Sequence, residues 1–186
     1  MSEERMRKVS MQMIFHCAPT FQRLKPSSLI MIDPEDLEVL ERQTAQAGLS
    51  GCRLCRGNQR DMWLLYREDE LKKILEKEVN RRFFRAMGYR SFSLPAVLNQ
   101  IRVRLAAHRD GEGEYPHELG ILLGYPLEDV RGFIRHKGKN YLYSGYWKVY
   151  GDVEKARQLF QSYDRARKQM FQWLDAAAAQ PAEGAR

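Results

Sequence analysis

Apolar positions recur every three or four residues along most of the chain, interrupted by a few compact apolar runs. The first stripe, Met6, Val9 and Met13, predicts a helix over residues 4–15. Proline fits a helix only in its first turn, so Ala18-Pro19-Thr20 reads as the start of a new short helix that runs to Lys25, before Pro26. Ser28-Leu29-Ile30-Met31-Ile32 is the first compact run and predicts a buried strand. Asp33-Pro34-Glu35-Asp36 signals a helix start, with a cap, a first-turn proline and acids at the positive end of the dipole. Leu37, Leu40, Thr44 and Ala47 continue that helix until Gly48 ends it.

Residues 49–60 are polar and read as a loop holding Cys52 and Cys55, followed by a second strand, Met62-Trp63-Leu64-Leu65-Tyr66. Leu71, Ile74, Leu75, Val79, Phe83, Phe84 and Met87 form one stripe, which predicts a helix over residues 70–87 stopped by Gly88. Ser93 caps a further helix carrying Leu94, Val97, Leu98, Ile101 and Leu105 inward, and Asp110-Gly111-Glu112-Gly113 is a turn. Residues 119–123 give a third short apolar strand. Residues 126–137 carry a helix with an opening proline, acids in its first turn, basic residues in its last and Gly138 beyond. The aromatic-rich stretch 141–150 reads as a strand or a hairpin pivoting at Gly145. Asp152 caps a long last helix, and residues 176–186 read as a frayed tail.

About four strands separated by helices predict a single α/β (or α+β) domain over residues 1–175, a small mixed sheet flanked by helices. Composition agrees with a single core. The 186 residues are 44% hydrophobic and 30% charged, with a mean hydropathy of −0.59, which excludes disorder over most of the length. No stretch approaches the roughly 18 consecutive apolar residues a membrane span requires. The acids in Met1-Ser2-Glu3-Glu4-Arg5 argue against a leader peptide, so a cytoplasmic location is expected. Lys and Arg number 31 against 24 acids, a net charge of +7. That excess suits an anionic partner such as nucleic acid, nucleotide or acidic headgroups, although its even spread along the chain equally fits an ordinary basic surface. Three cysteines, an odd count, fit free thiols better than a disulfide framework.

Two stretches are distinctive as strings of residues. One is His16-Cys17-Ala18-Pro19-Thr20 with Lys25-Pro26 shortly after. The other runs from Pro116-His117-Glu118-Leu119-Gly120 through Gly124-Tyr125-Pro126-Leu127-Glu128-Asp129-Val130, Gly132-Phe133 and Gly138-Lys139-Asn140-Tyr141 to Gly145-Tyr146-Trp147-Lys148-Val149-Tyr150. Together they resemble an uncharacterised bacterial family, domain of unknown function 3793, from about His16 to the last helix. The resemblance implies a bacterial cytoplasmic protein and brings no activity or cofactor with it. Cys52 and Cys55 lie outside the resembling stretches.

Three constellations are candidates for chemistry. Cys17, if a helix starts at Ala18, sits at an N-terminus whose free N–H groups and dipole favour a thiolate, the nucleophilic form. His117 and His136 are its candidate bases, with Glu118 or Asn140 as the orienting group, and His16 and Lys25 lie nearby in sequence. The bland alternative makes Cys17 a small buried hydrophobe. Cys52-Arg53-Leu54-Cys55 has the spacing of half a zinc site or a redox dithiol, and equally of an exposed loop pair. Finally, Lys137, Lys139, Tyr141, Tyr143, Tyr146, Trp147, Lys148 and Tyr150 interleave aromatics with lysines, a pattern that suits stacking on bases with neutralised phosphates. The same aromatics serve equally as core of a small sheet. The functional expectation is a thiol-dependent enzyme or a protein handling an anionic small ligand or metal around Cys17 and His117. The alternative is a non-catalytic nucleic-acid or nucleotide binder using residues 137–150.

Overall fold

A computed structural model describes residues 2–179. The elements in chain order are α1 (Glu3–Phe21), β1 (Ser27–Ile32), a 3-10 turn (Pro34–Asp36), α2 (Leu37–Gln46), β2 (Ser50–Cys55) and β3 (Asp61–Tyr66). Then follow α3 (Glu68–Glu76), α4 (Glu78–Ala86), α5 (Leu94–Arg109), α6 (Leu119–Leu122), α7 (Leu127–His136), β4 (Tyr143–Ser144), β5 (Lys148–Val149) and α8 (Val153–Ala179).

β3 is the centre of a three-stranded sheet in the order β1-β3-β2, antiparallel throughout rather than mixed. Because side chains alternate across a strand, the sheet has two buried faces. On one, Ile30, Ile32 and Leu65 pack with Val9, Met13 and Cys17 of α1 and Val39 and Leu40 of α2. On the other, Leu64 and Leu54 pack with Leu71, Leu75, Phe83, Phe84, Ile101 and Leu119 from α3 through α6. A third cluster joins Trp147 and Val149 of the β4–β5 ribbon to Ala156, Phe160 and Tyr163 of α8. The chain is one mixed α/β domain, and among the described residues no helix is long and apolar enough to cross a membrane.

Several elements differ from the sequence expectation. Helix α1 continues through Pro19 to Phe21 instead of ending and restarting. Its buried face against β1 and α8 holds the last turn together, and Arg67 caps it, donating from Nε to the Thr20 carbonyl at 3.1 Å and from Nη2 to the Phe21 carbonyl at 2.9 Å. The polar stretch around Cys52 is an edge strand, β2, with β3 as its only partner among the described residues, and an edge tolerates Ser50, Gly51 and Arg53. The stripe over residues 70–87 is two helices, broken where Lys77 adopts an extended conformation (φ −65°, ψ 119°). The carbonyls freed by the break are taken by Asn80 Nδ2, donating to Ile74 O at 2.8 Å, and by Arg81 Nε, donating to Leu75 O at 2.9 Å. Residues 119–122 are a buried helical turn, not a strand; a short run apolar on every side carries no period to distinguish the two. Helix α8 extends past Ala176 to Ala179, and the rest of the expected tail lies outside the described residues.

An aromatic cleft as the candidate functional site

The β4–β5 ribbon faces α6 and α7 across a cleft of about 450 Å³, with Leu29 of β1 behind it. Its walls carry Tyr115, His117, Tyr125, Phe133, Tyr146 and Trp147, and Lys148 and Asp129 supply charge. One loop fixes how these walls meet. Gly124 has φ +80°, and a Cβ there would stand 2.6 Å from Pro26 Cδ, so only glycine lets the α6–α7 connection lie against the Lys25-Pro26 segment.

Asp129 organises the ribbon side. It sits in the first turn of α7, is 3% exposed, and both its oxygens are engaged. Oδ2 accepts the Trp147 indole N–H at 2.7 Å, while Oδ1 accepts the backbone N–H groups of Tyr150 at 2.7 Å and Gly151 at 2.9 Å. Trp147 is thereby held stacked on Tyr125, with ring centroids 4.8 Å apart, and edge-on to Phe160 at 4.5 Å. Opposite, His117 lies 4.9 Å from the Phe133 ring and 5.3 Å from that of Tyr115. Partial burial holds its imidazole below the ordinary histidine value despite the opposing pull of Glu118 and Glu114, so it is neutral at physiological pH.

Of the cations around the cleft, Arg167 pairs with Asp164 at 3.6 Å, whereas Lys25 and Lys148 have no acidic partner among the described residues. Lys148 Nζ donates to the Gly138 carbonyl at 2.7 Å and lies 4.9 Å from the Tyr141 ring centroid and 5.8 Å from that of Phe133. Behind the Tyr125 wall, the Lys25 ammonium stands 5.7 Å from that ring and is 9% exposed. Burial pulls the Lys25 amine down to about 8, against a smaller opposing effect of Cys17. Arg167 of α8 lies over the Tyr146 ring, 5.4 Å from its centroid, and donates from Nη2 to the Tyr146 hydroxyl. Among the described residues, no carboxylate lies within ion-pair distance of Lys25 or Lys148.

The cleft thus unites four of the residues singled out from sequence, His117, Tyr146, Trp147 and Lys148, and Lys25 stands just behind its wall. Glu118 is beside it but serves the core. Its Oε1 accepts from Tyr89 Oη at 2.8 Å and pairs with Arg104 Nη1 at 3.0 Å, and the residue is 1% exposed. Asn140 is exposed with φ 56°, a left-handed turn position that asparagine tolerates, and does not line the cleft. His16 faces outward on α1, its imidazole lowered by partial burial and the charges of Arg167 and Lys25.

Cys17 lies elsewhere. The continuity of α1 puts it near that helix's C-terminal end, where the dipole opposes a thiolate, instead of at a helix start. It is fully buried, and burial pushes its thiol up to about 12. Cys17 packs on the Ile30 face of β1, whereas Leu29, on the opposite face, lines the cleft, so the structure does not bring Cys17 and His117 together. Cys52 and Cys55 sit on β2, remote from His16 and Cys17 in the fold; among the described residues, no group of three or more metal-ligating side chains assembles around them or elsewhere. Of the aromatics in 137–150, Trp147 and Tyr143 pack inward against Tyr125 and Phe160, and Tyr141 is 45% exposed.

Sequence reasoning missed Asp129, Tyr125, Tyr115 and Phe133 as site residues. Asp129 carried a signal only as a first-turn acid, because its partner Trp147 is 18 residues away. No curated protein and no solved structure matches the chain. Residues 13–181 match the profile of a family described as Protein of unknown function (DUF3793), and the chain belongs to that family.

Proposed function

We propose that this protein binds a planar small molecule bearing a carboxylate or phosphate in the aromatic cleft. One observation carries the reading: flat rings on both walls, Trp147 with Tyr125 and His117 with Phe133, converge beside the ammonium of Lys148, which has no acidic partner among the described residues. A cavity of about 450 Å³ has the size of ordinary ligand pockets, and its apolar walls with few polar groups match their usual make-up. The rings supply stacking and dispersion for a planar body. Lys148 is placed for the anionic group, and Lys25 behind Tyr125 adds positive charge, while Arg167 behind Tyr146 is paired with Asp164. Asp129 keeps its charge, but its oxygens are held by three N–H donors and it forms no ion pair with these cations. A neutral His117 imidazole offers one donor and one acceptor, which suits hydrogen bonding to a ring substituent.

Paired ligands test this. Nucleoside monophosphates and aromatic carboxylates, each with its neutral analogue, are screened by thermal shift on the full chain. The anionic member is expected to raise the melting temperature where its neutral analogue does not, and Lys148→Ala to weaken that response at least tenfold in affinity. Equal responses to charged and neutral members, unaltered by Lys148→Ala, would overturn the reading.

A further inference from the structure

A second groove, between β2 and α5, shares no residue with the aromatic cleft and encloses about 380 Å³. Its floor is apolar, with Leu54 and Ala106 beneath Val103, which is 60% exposed. Its rims carry Arg56, just beyond β2, and Arg102 and Arg109 on α5; Arg53 also borders it, but its register opposite Trp63 turns its guanidinium to the other face of the sheet, towards Asp61. Two have acidic neighbours, Arg53 at 3.4 Å from Asp61 and Arg109 at 3.1 Å from Asp110. Among the described residues, Arg56 and Arg102 pair with no carboxylate. Arg109 Nη1 reaches across the groove to donate to the Arg56 carbonyl at 3.1 Å, so the two rims are tied together.

We propose that this groove binds the phosphodiester backbone of single-stranded nucleic acid. The spacing favours a linear polyanion over a compact oxyanion. Arg102 and Arg109 are seven residues apart on a helix, about 10 Å by helical rise. Arg56 stands across the trough from them, its carbonyl tied to Arg109. The cations are therefore spread along the trough, whereas a single phosphate or sulfate needs guanidinium groups converging on one point. Phosphates recur closely along a strand, so the α5 side faces two or three of them, and the planar guanidinium fork suits phosphate oxygens. The exposed apolar floor at Val103 accepts a base or sugar face. A net charge of +7 adds long-range attraction of the same sign.

Cys55 lines this groove, and Cys52 does not, which provides a reporter in the unaltered protein. The experiment titrates a fluorescein-labelled 15-nucleotide oligouridylate onto the full chain over a salt series, and follows alkylation of Cys55 and Cys52 by mass spectrometry with and without the oligonucleotide. Binding is expected to weaken steeply with salt and to slow Cys55 alkylation several-fold while leaving Cys52 unchanged. Arg56→Gln with Arg102→Gln, both on exposed positions outside the core, is expected to reduce affinity at least tenfold and the salt slope by about 1.4, since each lost contact to a single strand removes about 0.7. Absence of salt-sensitive binding, binding that leaves Cys55 alkylation unchanged, or binding to phosphatidylserine vesicles in place of the oligonucleotide would each overturn the proposal. The aromatic cleft is unaffected by the double substitution, so failure here leaves the ligand reading of that cleft standing.

Discussion

The carboxylate of Asp129 accepts the indole N–H of Trp147 at 2.7 Å, and this buried bond sets one wall of the aromatic cleft. The second oxygen of the same carboxylate collects two backbone N–H groups where the ribbon turns into α8. A single side chain in the first turn of α7 therefore fixes both the ring and the strand that carries it. Asp129→Ala leaves the buried Trp147 indole and two part-buried backbone N–H groups without an acceptor and is expected to cost at least about 3 kcal/mol, from losses of roughly 1–3 kcal/mol for each unsatisfied group. Asp129→Asn is expected to cost less, because its remaining oxygen still serves the two backbone groups while its amide N–H₂ opposes the indole donor. Denaturant titration of the two variants measures both losses; an Asp129→Ala protein as stable as the parent would contradict this assignment.

Lys25 makes stability depend on pH in a definite direction. Its amine titrates near 8 in the folded protein and near 10.5 when unfolded, so between those values the unfolded chain binds more protons. Stability contributed by this group therefore rises with pH from about 8 to about 10.5, and the cost of burying the charged form is fully present below 8. Lys25→Met removes a buried charge and keeps an unbranched side chain, one atom shorter. It is expected to be more stable than the parent at pH 7, by up to about 3 kcal/mol, since each tenfold loss of proton affinity on folding corresponds to roughly 1.4 kcal/mol. The difference is expected to vanish towards pH 10.5. Melting curves of both proteins across that range test the sign, and a difference that grows with pH would contradict it.

The three thiols are predicted to separate cleanly by reactivity. Cys17, fully buried with its thiol pushed up to about 12, is expected to stay unmodified by iodoacetamide at pH 8 until the protein unfolds. Cys52 and Cys55 are both partly accessible and are expected to react in the native state. Oxidation is not expected to join them while β2 is intact. The bulge sets Cys52 opposite Leu64 and Cys55 opposite Met62, two residues apart on β3 and so about 6.8 Å, the upper limit of the roughly 4.4–6.8 Å a disulfide spans, and closing the bond would distort the strand. Peptide mapping after mild oxidation checks this, and a disulfide in protein that keeps its native melt would contradict the placement of β2.

Glu118, singled out from sequence beside His117, is predicted to act through stability. Its oxygen holds Tyr89 and Arg104 inside the main core. Glu118→Ala leaves the buried Tyr89 hydroxyl without its acceptor, while the partly exposed Arg104 keeps its bond to the Met87 carbonyl, and is expected to cost roughly 1–3 kcal/mol, as for one unsatisfied buried group. Glu118→Gln keeps an acceptor for Tyr89 and is expected to lose less. Unfolding by denaturant separates the two, and a Glu118→Ala variant of undiminished stability would leave Glu118 available for another role.

Much of the fold is legible in single residues. Pro126, Glu128, Asp129 and Gly138 mark α7 at both ends, and Asp152 caps α8 by accepting from Lys155 N at 3.0 Å. The break at Lys77 is not legible, because no glycine or proline marks it and the carbonyls it frees are satisfied by Asn80 and Arg81 from the next helix. Pro19 misleads for the opposite reason, since tertiary packing carries α1 through a residue that breaks an isolated helix, and that continuity removes the helix start invoked for Cys17. His117, Trp147 and Lys148 are visible as residues of the right chemistry, yet their meeting depends on Gly124 against Pro26 and on Asp129 reaching Trp147. Neither contact has a local signature. The arginine groove is hidden similarly, because β2 reads as loop and only its pairing with β3 beside α5 sets Arg56 opposite Arg102 and Arg109 across one trough.

Binding of a planar anion between Trp147 and Lys148 is tested most directly through the Trp147 indole N–H itself. Its bond to Asp129 gives it a place in the ¹H–¹⁵N spectrum distinct from the indoles of Trp63 and Trp173. Titration of an anionic planar ligand, chosen from the thermal-shift pairs, is predicted to move the Trp147 indole and Gly145 amide signals saturably, with the Trp173 indole unmoved. Lys148→Ala is predicted to raise the Kd at least tenfold. If no such ligand moves the Trp147 signal, or if Lys148→Ala binds as tightly as the parent, the cleft is not an anion-binding site.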